Sequence, residues 1–399
     1  MELLKAPPER FSRKPALAFL VWIAISGTFP VHIFVPALPE AARELQVSAT
    51  AMQFSITVYL IGLSLGQLLL GILSDRFGRR PVLVVGLLLY VLASAVAAVA
   101  PNLEVLLVAR LLQALGGCSG LVLGRAITRD AAGPEKAAAQ LAVLGAAISI
   151  GPALAPIVGA QISVHFGWRA IFIMLAVANS ALFLATLATL PETYLVRQRV
   201  AIGDYTRRYL ALLRNPAFLQ FCIGGAFATT SFYAFVGAAS FVLRDSYDLS
   251  VDAVGLVYLV VVGSLTLGSL LASRLARRVP PRTAIRFAVS AMTLSTFAMT
   301  SLYLAGSLTF WSLQLAVMIL TFSIGICSPF AMSGAVNVEP AAIGAASGLY
   351  GCLQMAAGAM IIVAVGAVSA DLTLSMTTVL FAASAIAALV FWLPLSARR

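Results

Sequence analysis

The chain has 399 residues, is 61% hydrophobic and only 10% charged, and its mean hydropathy of +1.00 excludes a water-soluble domain of this length. Twenty-six Lys and Arg against fifteen Asp and Glu give a net charge of +11, but their placement at the ends of apolar runs argues for membrane topology rather than nucleic acid. Little chain lies outside those runs and no G-x-x-x-x-G-K-[ST] phosphate loop occurs, so neither an enzyme domain nor ATP-driven transport within this chain is expected.

A span needs about 20 apolar residues, and twelve runs qualify: 16–38, 52–73, 82–100, 103–126, 138–163, 169–190, 216–242, 252–272, 283–305, 309–336, 341–367 and 373–394. The first carries Pro30-Val-His32-Ile-Phe-Val-Pro36-Ala-Leu-Pro39. Basic residues precede it, but eleven further spans follow, so it reads as an uncleaved helix rather than a signal peptide.

Between the second and third runs stands Gly71-Ile-Leu-Ser-Asp75-Arg76-Phe-Gly78-Arg79-Arg80-Pro81. Hydrocarbon cannot hold four unpaired charges, so this is a tight loop at a membrane face, its glycines letting two helices approach and turn back. In the fourth span Arg110, Gln113, Gly117, Gly120 and Gly124 share one helical face. The fifth answers with Gly145, Ser149, Pro152, Pro156 and Gly159 at alternating steps of four and three, and Gly151 precedes the first proline. Small faces let backbones approach where no hydrophobic drive acts between helices. Static packing and a pliable, proline-bent sliding surface are both open readings.

The longest polar interval, Pro191 to Asn215, divides the spans six and six and reads as the hinge between an N-terminal bundle (1–190) and a C-terminal bundle (216–399), with 191–215 as linker. Arg76-Phe-Gly-Arg79-Arg80-Pro81 is faintly echoed by Arg274-Leu-Ala-Arg277-Arg278 and Pro280 after the second span of the other half, but the second copy lacks the aspartate and both glycines. The seventh span offers Thr229, Thr230 and Tyr233, and the eleventh Tyr350 and Gln354, suited to an amphipathic, fairly neutral ligand. Cys118, Cys222, Cys327 and Cys352 lie in spans at unrelated spacings, so no disulfide framework and no metal site is indicated.

With both termini placed in the cytoplasm, 22 of the 26 Lys and Arg fall on the cytoplasmic face, and only Arg43, Arg169 and Arg244 on the other. The basic loops are topology determinants and potential anionic-lipid contacts. Arg110 alone lies inside a span, where a charge costs at least ~2.5 kcal/mol unless partnered or hydrated. It reads as a coupling or substrate contact, or as a structural tie to backbone carbonyls. All fifteen acidic residues sit at span ends or in loops.

The G-x-x-x-D-R-x-G-R-R loop resembles that between the second and third helices of the major facilitator superfamily. The fifth-span pattern resembles the motif of its antiporter branch. Pro36-Ala-Leu-Pro39, Arg125-Ala-Ile-Thr-Arg129-Asp130, Leu190-Pro-Glu192-Thr193, and Gly344-Ala-Ala-Ser347-Gly348 into Gln354 resemble the bicyclomycin and chloramphenicol resistance branch of drug:proton antiporters. The resemblance implies an all-α membrane fold of two pseudo-symmetric six-helix bundles in the bacterial inner membrane. It implies alternating access and export of small drugs or metabolites in exchange for protons, by a monomer with no cofactor beyond the proton gradient. It also implies a latch of Gly71, Asp75, Arg76, Gly78 and Arg79, in which Asp75 caps a neighbouring helix and pairs across the bundle interface. The branch commonly has an aspartate four residues before the first proline of P-A-L-P, where this chain has His32. His32 thus reads as proton carrier or substrate ligand, or as a hydrogen-bonded structural residue, at nearly the depth of Arg110. The missing acid also leaves open a metabolite uniporter or importer without proton coupling.

Overall fold

The computed structural model describes residues 15–132, 134–193, 202–276, 278–339 and 343–394, in which every regular element is helical. The chain enters as a broken span: α1 (Leu17–Ile25), α2 (Phe29–Phe34), a 3-10 turn (Val35–Ala37) and α3 (Leu38–Glu44), bent by 50°. The break has a chemical cause. Pro30 has no N–H to return to Ser26, and the N–H of Val31 turns to Thr28 at 3.3 Å, so the Gly27 carbonyl loses its helical donor. Pro36 and Pro39 then tighten the next turns.

The remaining N-terminal helices are α4 (Ala49–Phe77), α5 (Arg79–Ala98), α6 (Leu103–Ala132), α7 (Pro134–Phe166) and α8 (Trp168–Thr189). After α9 (Ile202–Leu213) come α10 (Pro216–Thr230), α11 (Phe232–Asp245), α12 (Val251–Leu275), α13 (Pro281–Leu304), α14 (Phe310–Val336), α15 (Ile343–Val368) and α16 (Leu372–Trp392). Ten apolar helices are long enough to cross, counting α10 and α11 as one; the bent first span and the 33-residue α7 complete twelve. Several spans, α4, α6 and α12 among them, run some residues past the expected boundaries into the polar turns, whereas α5, α13, α14 and α16 stop one or two residues short at one end.

The polar interval between the halves is not merely a hinge. It contains α9, whose Tyr209 and Leu212 pack against Phe218, Leu349 and Tyr350 at the foot of α10 and α15. Helices α1–α8 pack as one bundle and α10–α16 as the other, meeting along α4 with α15 and α7 with α12.

Those two seams close at one face and part at the other. On the face away from the basic loops, Gln161 donates to Asp252 at 2.8 Å, and α11 is buried from Phe232 to Leu243 except Tyr233. A Cβ at Gly366 would meet Thr50, and one at Gly237 would touch Ile362 and Gln53. On the basic side, by contrast, a Cβ added to Gly71 or Gly344 would meet no atom of the described residues within 4 Å. The bundles therefore open as a wedge toward the basic face.

Candidate transport path and conformational latch

The broken first span is clamped between two small-residue faces. A Cβ at Gly120 would strike the Ile23 carbonyl and the Ser26 hydroxyl, and Gly117 lies against Gly27. From the other side Gly159 meets the Ile33 carbonyl, and Gly151 meets Ile25 and Phe29. The two stripes thus do not answer each other, as their matched spacing suggested; each packs against α1–α2. The further reach of α7 is toward α12, where a Cβ on Gly255 would lie 3.6 Å from the Pro156 carbonyl oxygen. The Pro152 side chain lies outside the described residues.

Arg110 stands in the gap the kink creates. Its guanidinium is fully buried and donates to the Pro30 carbonyl (3.2 Å), the Ser55 carbonyl (3.4 Å) and Gln113 Oε1 (2.7 Å). The Tyr59 ring lies beneath it at 4.2 Å, with Phe34 and Phe172 at 5.6 and 5.7 Å. Gln113 passes the chain on to Ser94 Oγ at 2.8 Å, and Ser94 donates to the Tyr90 carbonyl. Tyr59 Oη donates to the freed Gly27 carbonyl at 2.9 Å. Four spans are joined by one cation that has no carboxylate partner among the described residues. Sequence reasoning missed Tyr59 and Ser94; a tyrosine one helical turn after Ser55 was the available signal.

His32 lies two residues from the carbonyl that Arg110 holds, but its ring turns the other way. It stacks on Tyr233 of α11, centroids 6.3 Å apart and planes at 21°, so it touches the opposite bundle. It is 7% exposed and has no hydrogen-bond partner among the described residues. On the C-terminal side Gln354 donates to Thr229 Oγ1 at 2.7 Å, and both side chains are half-buried. Tyr350 is buried with its hydroxyl unpartnered among the described residues. Thr229 and Thr230 each donate to a carbonyl of their own helix at 2.7 Å, but Thr230 is fully buried, so it offers less to a ligand than half-buried Thr229. Of the seven sequence-derived ligand positions, the structure places His32 beside Tyr233, draws Tyr350 and Gln354 toward Thr229 on α10, and seals Arg110 and Gln113 inside the N-terminal bundle.

The basic turn is organised around Arg79 rather than Arg76. Arg76 is exposed over the Phe77 ring, whereas Arg79 is 6% exposed and pairs with Asp75 (2.7 Å) and Asp130 (3.4 Å) and bonds Ser74. Gly78 turns the chain at φ +100°, a region open to glycine. The carboxylate capping α5 is Glu192: its oxygens accept from the N–H of Arg79 (3.0 Å) and Arg80 (3.3 Å). Gly71, expected at a close approach, faces open space in this conformation.

Two half-bundles, a kinked first helix and a wedge between them define a transporter that works by exchanging which face is open. The Major Facilitator Superfamily model matches residues 17–363, and the chain belongs to that superfamily. It is 28% identical over 383 residues to the uncharacterized MFS-type transporter YdgK of Bacillus subtilis, covering 94% of each chain. It is 25% identical over 387 residues to a bicyclomycin resistance protein homolog of Haemophilus influenzae, covering 95% of this chain and 96% of that one. The xylose transporter XylE of E. coli, in a partially occluded inward-open conformation, shares the fold with a TM-score of 0.73 at 13% identity, over 96% of this chain and 98% of that one.

Proposed function

We propose that this transporter exports a small amphipathic drug or metabolite from the bacterial cytoplasm across the inner membrane, in exchange for protons. The observation that carries the reading is the full-length likeness to the bicyclomycin resistance homolog. The Gly151–Gly159 face packed on the kinked first span is consistent with it. Residues 1–190 and 216–399 rock about 191–215, both termini are cytoplasmic, and the monomer is the working unit. The basic face is then the cytoplasmic one, and the conformation described is inward-facing. Substrate contacts the wall of Thr229, Tyr233, Tyr350 and Gln354, and His32 carries the proton. Arg110 acts by holding the kink that aims His32 at Tyr233. The test is bicyclomycin susceptibility of a sensitive host, followed by uptake into inside-out vesicles with and without an imposed pH gradient. Resistance with gradient-dependent uptake supports the reading.

A second reading, transport without proton coupling, is favoured by one observation: among the described residues every Asp and Glu lies at a helix end or in a turn. Substrate counterflow indifferent to the pH gradient would select it.

A further inference from the structure

The two halves end their outer helices alike, but neutralise them differently. After α8 the chain reads Leu190-Pro191-Glu192, and after α16 it reads Leu393-Pro394-Leu395. In the first half Arg80 donates to the Leu187 carbonyl at 2.9 Å, and Glu192 supplies the negative charge over the start of α5. In the second half Arg286 makes the matching tie, donating to the Phe391 carbonyl at 3.1 Å. No carboxylate pairs with Arg286 or Arg282 among the described residues.

Beside the end of α16, the described residues of the second half bound an open space. A cavity of about 170 Å³ is bounded by Arg282, Arg286, Gln220, Phe221, Leu393 and Pro394. Across Arg282 and Phe221 it adjoins a second of about 390 Å³ walled by Phe330 and Asn337. Arg282 is exposed and has no hydrogen-bond partner among the described residues. Beside them Trp392, its indole N–H on Ser290 and its ring under Arg286 at 5.0 Å, stands at the boundary that interfacial tryptophans occupy. Phe287 and Leu393 are exposed to the apolar side.

We propose that this groove binds an anionic phospholipid of the leaflet on the basic face, its headgroup phosphate taking the position that the Glu192 carboxylate holds in the first half. Charge complementarity selects the headgroup: paired guanidinium groups without a counter-charge suit phosphate oxygens. The apolar walls of Phe221 and Phe330 favour a lipid over a free anion, because they offer the acyl-glycerol region a surface that a hydrated ion does not use.

The experiment is native mass spectrometry of the full chain in mild detergent, titrated with phosphatidylglycerol, phosphatidylcholine and glycerol 3-phosphate. Wild type should retain phosphatidylglycerol over phosphatidylcholine. Arg282→Gln should weaken that retention about fivefold, whereas Arg244→Gln on the opposite face should not. Arg282 holds no internal bond among the described residues, so its variant should melt with wild type and the comparison stays valid. Equal retention by Arg282→Gln, or no preference for phosphatidylglycerol, overturns the proposal. Displacement of the lipid by equimolar glycerol 3-phosphate overturns its lipid part, leaving a site for free phosphate.

Discussion

His32 and Tyr233 stack across the bundle interface, one ring from each half, at the level where the closed face begins. A protonated imidazole there carries two N–H donors that find no acceptor among the described residues, so protonation favours a conformation in which the ring is hydrated and is thereby linked to opening of that face.

If His32 carries the proton, His32→Ala should abolish gradient-driven export while leaving downhill substrate exchange measurable in vesicles. His32→Asp should restore part of the coupling, since a carboxylate can also titrate in the opened path. Undiminished accumulation by His32→Ala would move the proton site elsewhere.

Arg110→Ala should unfold the protein before it informs on substrate. It leaves Gln113 Oε1 without its donor, at about 1–3 kcal/mol, removes the second bond to the Pro30 and Ser55 carbonyls, and empties the space under Tyr59, Phe34 and Phe172. Arg110→Lys should fare little better, because one ammonium cannot span three acceptors on three helices. Thermal unfolding in detergent checks this; a variant with native stability and selective loss of substrate affinity would instead make Arg110 a ligand.

Gly120→Leu and Gly159→Ala should lower yield and stability, each forcing a side chain into a carbonyl of the first span. Gly71→Leu and Gly344→Leu should fold normally in the conformation described. They should nonetheless slow turnover, because closing the basic face requires those surfaces to meet. Spin-label distances across that face should then show a larger open fraction.

Glu192→Gln should cost about 1 kcal/mol of stability by weakening the cap on α5. Asp75→Asn should leave the cap in place and reduce turnover more than stability. Equal loss of both quantities in the two variants would remove the distinction between cap and latch.

Gln53 is 1% exposed in the closed face, and neither atom of its amide has a hydrogen-bond partner among the described residues. Gln53→Leu should therefore stabilise this conformation, raising the melting temperature while slowing transport. A lower melting temperature would show that the amide is satisfied there.

The apolar spans and the charged turn between two of them were legible in the chain, because a hydrocarbon layer imposes its length and its intolerance of charge on local sequence. The small faces on α6 and α7 were legible as faces, but not their partner: periodicity tells which residues share a side of a helix, not which helix lies opposite. The kink at Gly27 became the receiving surface only when Pro30 freed a carbonyl that Tyr59 could reach. The same limit explains Arg110. Its burial could be read from a single charge within a span, whereas its acceptors belong to carbonyls that helix patterns leave anonymous. Tertiary structure alone turned His32 away from Arg110 toward Tyr233, and brought Glu192 to α5 across more than a hundred residues, because such pairings depend on how kinked helices cross rather than on any spacing within one of them.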